Sequence, residues 1–280
     1  RQLARLTCDA GLSAELNDRP EDAARWYLHC MRLGARIGER GALIHSLVGL
    51  ATLEVGRAHL DRLIDDADLS NDVLSRTLKQ CAALEMGIED ILAVVSAEGA
   101  YSRQTMATMP PNIWTADGGR PFFQKVKKVV RDRPLWELAQ RGQWASIIEQ
   151  ELRDANPLLS NTLRPLGRYF EASARANASL RATRIRTAIV LYRRRTGNGP
   201  PLNLDALTPD PLESVPVDPF SGEPLKYART ESGWKVWSVG SDGVDQGGKG
   251  NIPYTRNSED LVTRSQLASN REERTKKGTK

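Results

Sequence analysis

Residues 166–192 read LGRYFEASARANASLRATRIRTAIVLY. Leu166, Phe170, Ala174, Ala178, Ile185, Ile189 and Tyr192 recur mostly four residues apart, a spacing that lines one face of an α-helix. The pattern predicts one long helix from about Leu158 to Thr196, closed by Gly197-Asn198-Gly199. The stripe is narrow and rich in Ala, which suits close packing against a sheet or another helix. The nine arginines of residues 161–196 lie mainly outside it.

Upstream, residues 1–100 read as helices. Pro20 suits a first turn, Glu21 and Asp22 oppose the helix dipole, and Asp18 is the expected N-cap. Ala23, Trp26, Tyr27, Cys30, Met31, Leu33 and Ile37 follow at helical spacing until Gly38 and Gly41 break it. A second helix is expected from Ala42 to Asp66. Ser70 caps a third, whose apolar positions continue from Val73 to Leu92. Helices with short breaks imply antiparallel hairpins. The helix opening at Pro20 resembles the first helix of a tetratricopeptide unit, but no second copy follows at a fixed period. Residues 107–121 hold Pro and Gly at helix-stopping positions, and helices resume over 122–131 and 134–154.

Downstream the character changes. Leu202–Leu207 carries a short helical signal, and Val215–Pro224 is turn chemistry throughout. Leu225–Arg229 and Trp234–Val239 alternate like strands, joined at Glu231-Ser232-Gly233. A Gly/Asp loop, Gly240–Asn251, follows. The polar composition from Thr255 predicts a disordered tail.

Two segments carry a family likeness: Val215-Pro216-Val217-Asp218-Pro219-Phe220-Ser221-Gly222-Glu223-Pro224 and Trp237-Ser238-Val239-Gly240-Ser241-Asp242-Gly243. With the preceding long helix and short Leu-rich helix, their order resembles the soluble region of pseudopilins, above all the major pseudopilin of type II secretion. The likeness covers residues 164–251, about a third of the chain. It implies a structural calcium in the last loop, with Asp242 matching the family's Asp-Gly pair. Ser238 and Ser241 are the available oxygen donors beside it, and Asp245 and Asn251 stand in for the family's further acidic residues. Calcium takes six to eight oxygens, and a Gly-rich loop lets carbonyls turn inward. The same residues also fit a Gly/Asp turn held by Asx hydrogen bonds. The chain departs from the family in its polar, Arg-rich helix and in the ~160 helical residues before it, so a filament subunit is not expected.

The expected fold is therefore mainly α. Helical hairpins occupy 1–157, a long helix and a small α+β module with a short antiparallel sheet occupy 158–254, and a charged tail occupies 255–280. The net charge of +5 is uneven: residues 1–160 carry 20 basic and 22 acidic groups, and residues 161–196 carry nine Arg and one Glu. That distribution argues against a uniformly cationic nucleic-acid binder. Arg181, Arg184, Arg186, Arg193, Arg194 and Arg195 have two readings: helix-end structure, or docking of an acidic partner, anionic lipid or phosphate backbone.

Cys8, Cys30 and Cys81 are too few for a disulfide framework and read as small buried hydrophobes. No Walker loop, dinucleotide fingerprint or nucleophile elbow occurs. The reading is a non-enzymatic, envelope-associated structural or interaction protein. It binds a protein partner, such as an envelope or secretion-apparatus component, and no small-molecule substrate is expected. The alternative is a nucleic-acid or anionic-surface module using the Arg helix and basic tail. The chain opens on Arg1, which leaves room for membrane association through a preceding segment.

Overall fold

A computed structural model describes residues 2–108, 120–152, 157–231, 233–249 and 260–264. Its helices are α1 (Gln2–Leu16), α2 (Pro20–Gly38), α3 (Leu43–Asp66), α4 (Asn71–Ala83), α5 (Ile88–Met106), α6 (Arg120–Asp132), α7 (Leu135–Ala139), α8 (Arg141–Glu151) and α9 (Pro157–Thr196). Strands β1 (Lys226–Thr230), β2 (Gly233–Ser238) and β3 (Leu261–Arg264) make one antiparallel sheet in that order. The chain is mainly α with a small sheet, as the sequence predicts.

The helix at Pro20 forms, but Asp18 does not cap it. Arg19 is the N-cap, without a side-chain bond, and Asp18 sits at φ 52. The left-handed turn at Asp18 ends α1 instead. It brings the Arg19 N–H to the Ala14 carbonyl at 2.9 Å and the Asp18 N–H to the Glu15 carbonyl at 3.1 Å, which satisfies the last carbonyls of α1. Ser70 does cap α4, accepting from the Val73 amide at 3.4 Å.

The apolar period from Val73 to Leu92 spans two helices rather than one. The Asn177 side chain of α9 intervenes, accepting from the Met86 amide at 2.8 Å and donating to the Met86 carbonyl at 2.9 Å. Those groups are thereby taken from any continuous helix, and Gly87 opens α5 with its N–H bonded to Asp90. The helix expected over 134–154 also divides. Gln140 is extended, at ψ 127, and its side-chain Nε2 donates to the Phe220 carbonyl at 2.6 Å.

α2 and α3 cross at glycines. A Cβ on Gly34 would lie 2.5 Å from the Gly49 carbonyl and the Leu53 amide nitrogen, so no larger residue fits that crossing. α9 is the spine. Leu166, Tyr169 and Phe170 enter a core with α5, α6 and α8. Leu180 joins α2, α3 and α4, while Ile185, Ala188 and Ile189 meet the sheet. The units expected over 1–157 and 158–254 therefore share this helix. The predicted stripe is buried from Leu166 to Ile189, with Tyr192 half-buried, but so are Asn177, Thr183, Arg186 and Thr187 on other sides. Phe122 and Phe123 of the basic α6 are buried with Val126, Val129 and Val130, so the helix packs through its aromatics.

In the sheet, Tyr227 faces Val236 and Trp237 faces Val262. Trp234, Val236 and Leu225 pack on α9 with Leu204, Leu207 and Leu212. β3 corrects the expectation of a wholly disordered tail from 255. Its four residues are too short to show a period, yet Val262 and Thr263 are buried and pair with β2. The loop expected over 107–121 lies largely outside the described residues.

Candidate functional site

The two segments that carry the family likeness meet at Asp218, which is 1% exposed. One carboxylate oxygen accepts from the Phe220 amide at 2.9 Å and the Ser238 hydroxyl at 2.7 Å. The other accepts from the Val239 amide at 2.9 Å. The first bond closes an Asx turn; the others fasten that turn to the end of β2. A buried carboxylate is costly unless such donors surround it. The sequence alone gives this Asp no role. Its place before a Pro, in a run of turn residues, was the available signal.

The Gly/Asp loop starts at this clasp. Asp242 is exposed; it accepts from the Val244 backbone N–H at 3.1 Å and the Gln246 side-chain Nε2 at 2.8 Å. Asp245 accepts from the Trp237 indole at 2.9 Å and the Gly247 amide at 2.8 Å, and these donors hold its carboxyl below the ordinary range. Asx turns thus form at both aspartates. Ser238 donates into the clasp, and Ser241 is buried against Glu171. Burial pushes the Glu171 carboxyl up, but Arg141, Arg175 and Ser241 outweigh it and hold the group below its usual range. Asn251 lies outside the described residues.

Asp260 is a further carboxylate here that the sequence reading missed, since it falls in the segment assigned to the tail. It is 1% exposed. One oxygen accepts from the Gly248 amide at 2.7 Å; the other has no hydrogen-bond partner among the described residues. Burial, then the charges of Asp245 and Asp242, raise its pKa. The Gln246 side chain links it to Asp242, since its carbonyl accepts from the Asp260 amide at 3.1 Å. An orphaned carboxylate oxygen beside a glycine turn fits a cation. Against it, the Lys235 ammonium already donates to the Gly247 carbonyl at 2.6 Å. Among the described residues, no group of three His, Cys, Asp or Glu side chains converges on a metal position.

The α9 arginines face inward to a degree the sequence does not reveal. Arg181 and Arg184 bond Glu85 at 2.8 and 2.6 Å. Arg186, 4% exposed, pairs with Asp65 and stacks 5.2 Å above the Trp234 ring. Arg194 pairs with Asp68, and Arg195 pairs with Asp210 at 2.6 Å. Arg193 is half-buried, with its Nε covered. Arg181, Arg184 and Arg186 are thereby drawn inward, while Arg194 and Arg195 stay exposed at the helix end. These pairs also cover the Asp65 and Glu85 carboxylates, whereas Asp68 stays exposed. The histidines are dispersed: His59 stacks on Tyr27 at 5.0 Å, and His29 meets the edge of Trp26.

A groove of about 590 Å³ lies between the α2–α3 hairpin, α4–α5 and α9. Exposed Arg32 and Arg36 stand one turn apart on one wall, and exposed Glu89 and Asp90 stand on the other. Gly34 and Gly49 deepen it where the helices cross. Its described lining holds no His, Cys or Tyr, so no proton carrier or nucleophile of those types faces it.

Comparison with family models, curated proteins and solved structures returns no match. The reading of this chain therefore rests on its own residues and geometry. Among the described residues, no helix is long and apolar enough to cross a membrane.

Proposed function

We propose that this chain is a non-enzymatic, envelope-associated interaction protein. In this reading its pseudopilin-like module is carried on α9, and its helical hairpins receive an extended segment of a protein partner. The groove carries the proposal. It is concave, and its lining places Arg32 and Arg36 on α2, the latter paired with Glu39 at 3.5 Å, and Glu89 and Asp90 on α5. Opposed charges fix the direction and register of a bound peptide more than they add affinity. A partner of the envelope or secretion-apparatus class would bring acidic side chains to α2 and basic ones to the start of α5.

Calcium belongs to the same reading as a stabiliser of the last loop. Asp242 and the unpartnered oxygen of Asp260 would hold it, with loop carbonyls completing the oxygen set. The ion would neutralise charge around Asp260, whose pKa burial, and then the Asp245 and Asp242 charges, raise. Few carboxylates and a competing Lys235 imply weak affinity.

Site-specific photo-crosslinking in the source cells tests the groove. A crosslinker at Arg36 or Glu89 is expected to trap one protein, and a crosslinker at exposed Lys128 on α6 is not. The Arg32→Glu, Arg36→Glu double variant should lose the Glu89 adduct. Equal labelling from all three positions, or none from the groove, overturns the proposal.

A further inference from the structure

Cys8 on α1 and Cys30 on α2 point at each other across the crossing of their helices. Their sulfurs are 3.5 Å apart and both residues are buried, at 4% and 0% exposure. Cys30 is fixed there by Ala4 and Thr52, whose carbonyls lie 3.8 and 3.6 Å from its sulfur. The helices approach closely because the inner face of α1 is small: Ala4, Cys8, Gly11 and Ala14. A Cβ on Gly11 would lie 2.4 Å from the Tyr27 ring. A disulfide needs sulfurs at about 2.05 Å, so closure asks for about 1.5 Å of approach, within reach of side-chain rotation at such a crossing. We infer that Cys8 and Cys30 form an intramolecular disulfide that staples α1 to α2 under oxidising conditions.

α1 is the helix that would gain most from a staple. Its buried face carries little apolar area, while Leu3, Leu6 and Leu16 stay outside at 59, 64 and 87% exposure. Beyond the small-residue seam, Glu15 ties it down through Tyr27 and Arg62. Cys81 is buried separately, in the α2–α3–α4 core. The chemistry is exchange with a disulfide donor, such as oxidised glutathione or a thiol–disulfide oxidoreductase. One cysteine loses its proton and attacks the donor, releasing one donor thiol and leaving a mixed disulfide. The second cysteine, likewise deprotonated, attacks the protein sulfur of that bond and releases the second donor thiol. Two protein thiols are oxidised, one donor disulfide is reduced to two thiols, and the two protons end on the donor. Burial, with Cys30 alongside, pushes the docked Cys8 thiol up to about 12, so the exchange proceeds while α1 is lifted from α2. This inference does not depend on the proposed partner or on calcium.

The test incubates the full chain with oxidised or with reduced glutathione, then alkylates it under denaturing conditions and weighs it. The reduced sample is expected to take three alkyl groups and the oxidised sample one, on Cys81. Trypsin should then release Leu6–Arg25 joined to Trp26–Arg32 from the oxidised sample. Cys81→Ala should keep the link. Amide exchange in α1 should slow about tenfold on oxidation of the wild type, and not in Cys8→Ala. Three alkylated cysteines after oxidation, a glutathione adduct without a link, or a link to Cys81 would overturn the inference.

Discussion

The Asp218 carboxylate accepts the Ser238 hydroxyl at 2.7 Å, joining residues 20 apart in the chain. Through this bond, and the Val239 amide on its other oxygen, a proline-rich turn and a strand end become one structure. Asp218→Asn would place an N–H donor toward one of these donors. It is expected to cost about 3 kcal/mol, because a buried acceptor loses charge-assisted bonds. Ser238→Ala should cost about 1–2 kcal/mol. Urea midpoints measure both; an unchanged midpoint in Asp218→Asn would remove the clasp from the account of the module.

The α2–α3 crossing gives a paired test of glycine. Gly34→Ala drives a methyl into backbone 2.5 Å away and should destabilise by more than about 2 kcal/mol. Gly142→Ala, in α8, meets nothing within 4 Å and should be neutral or stabilising, by up to about 1 kcal/mol. Thermal melts of the two variants should move in opposite directions or differ sharply.

The α3–α9 contact holds a buried ion network. Arg57 pairs with Glu54 and Asp61, and Thr183 of α9 donates to Asp61 at 2.7 Å. Arg57→Ala leaves buried Asp61 with only the more distant Arg186, at 3.9 Å, and should cost about 3 kcal/mol. Arg57→Met with Asp61→Leu should recover much of that loss, since well-packed apolar replacements of a buried pair are often neutral. Chemical denaturation of the single and double variants decides it.

Acidification should weaken the α2–α3 hairpin through His59. Burial, and then Arg62, lower its pKa below the ordinary 6.5, so the folded state binds the proton less well than the unfolded chain. Its contribution is present above about pH 6.5 and is lost as pH falls through the folded value. Arg62, Glu15 and Asp9 are the charged groups around it. His59→Phe keeps a ring against Tyr27 and should flatten stability between about pH 7 and 5.5.

The helices were legible where one physical signal dominated. The stripe from Leu166 to Tyr192 and the Gly197 stop located α9, and Ser70 located the start of α4. Boundaries set by distant residues were not legible. Asn177 breaks the Val73–Leu92 period from 91 residues away, and Gln140 leaves its helix to reach Phe220. β3 was hidden because four residues inside a polar tail carry no period. At the candidate site, the motif points to Asp242, with Asp245 as a stand-in beside it. Asp260 and the role of Asp218 depend on contacts across the fold. The inward pairing of Arg181, Arg184 and Arg186 was not legible because their acidic partners, Asp61 to Glu85, lie about a hundred residues upstream.

Calcium-dependent melting tests the pseudopilin-like reading most directly. Millimolar calcium, compared with chelator, should raise the wild-type Tm by about 3 °C, the size expected of a weak site in a domain this large. The rise should vanish in Asp242→Ala and in Asp260→Asn. Identical melting in calcium and chelator would contradict a calcium-held loop and leave its Asx turns and the Trp237, Gln246, Lys235 and Asp260 bonds to hold it.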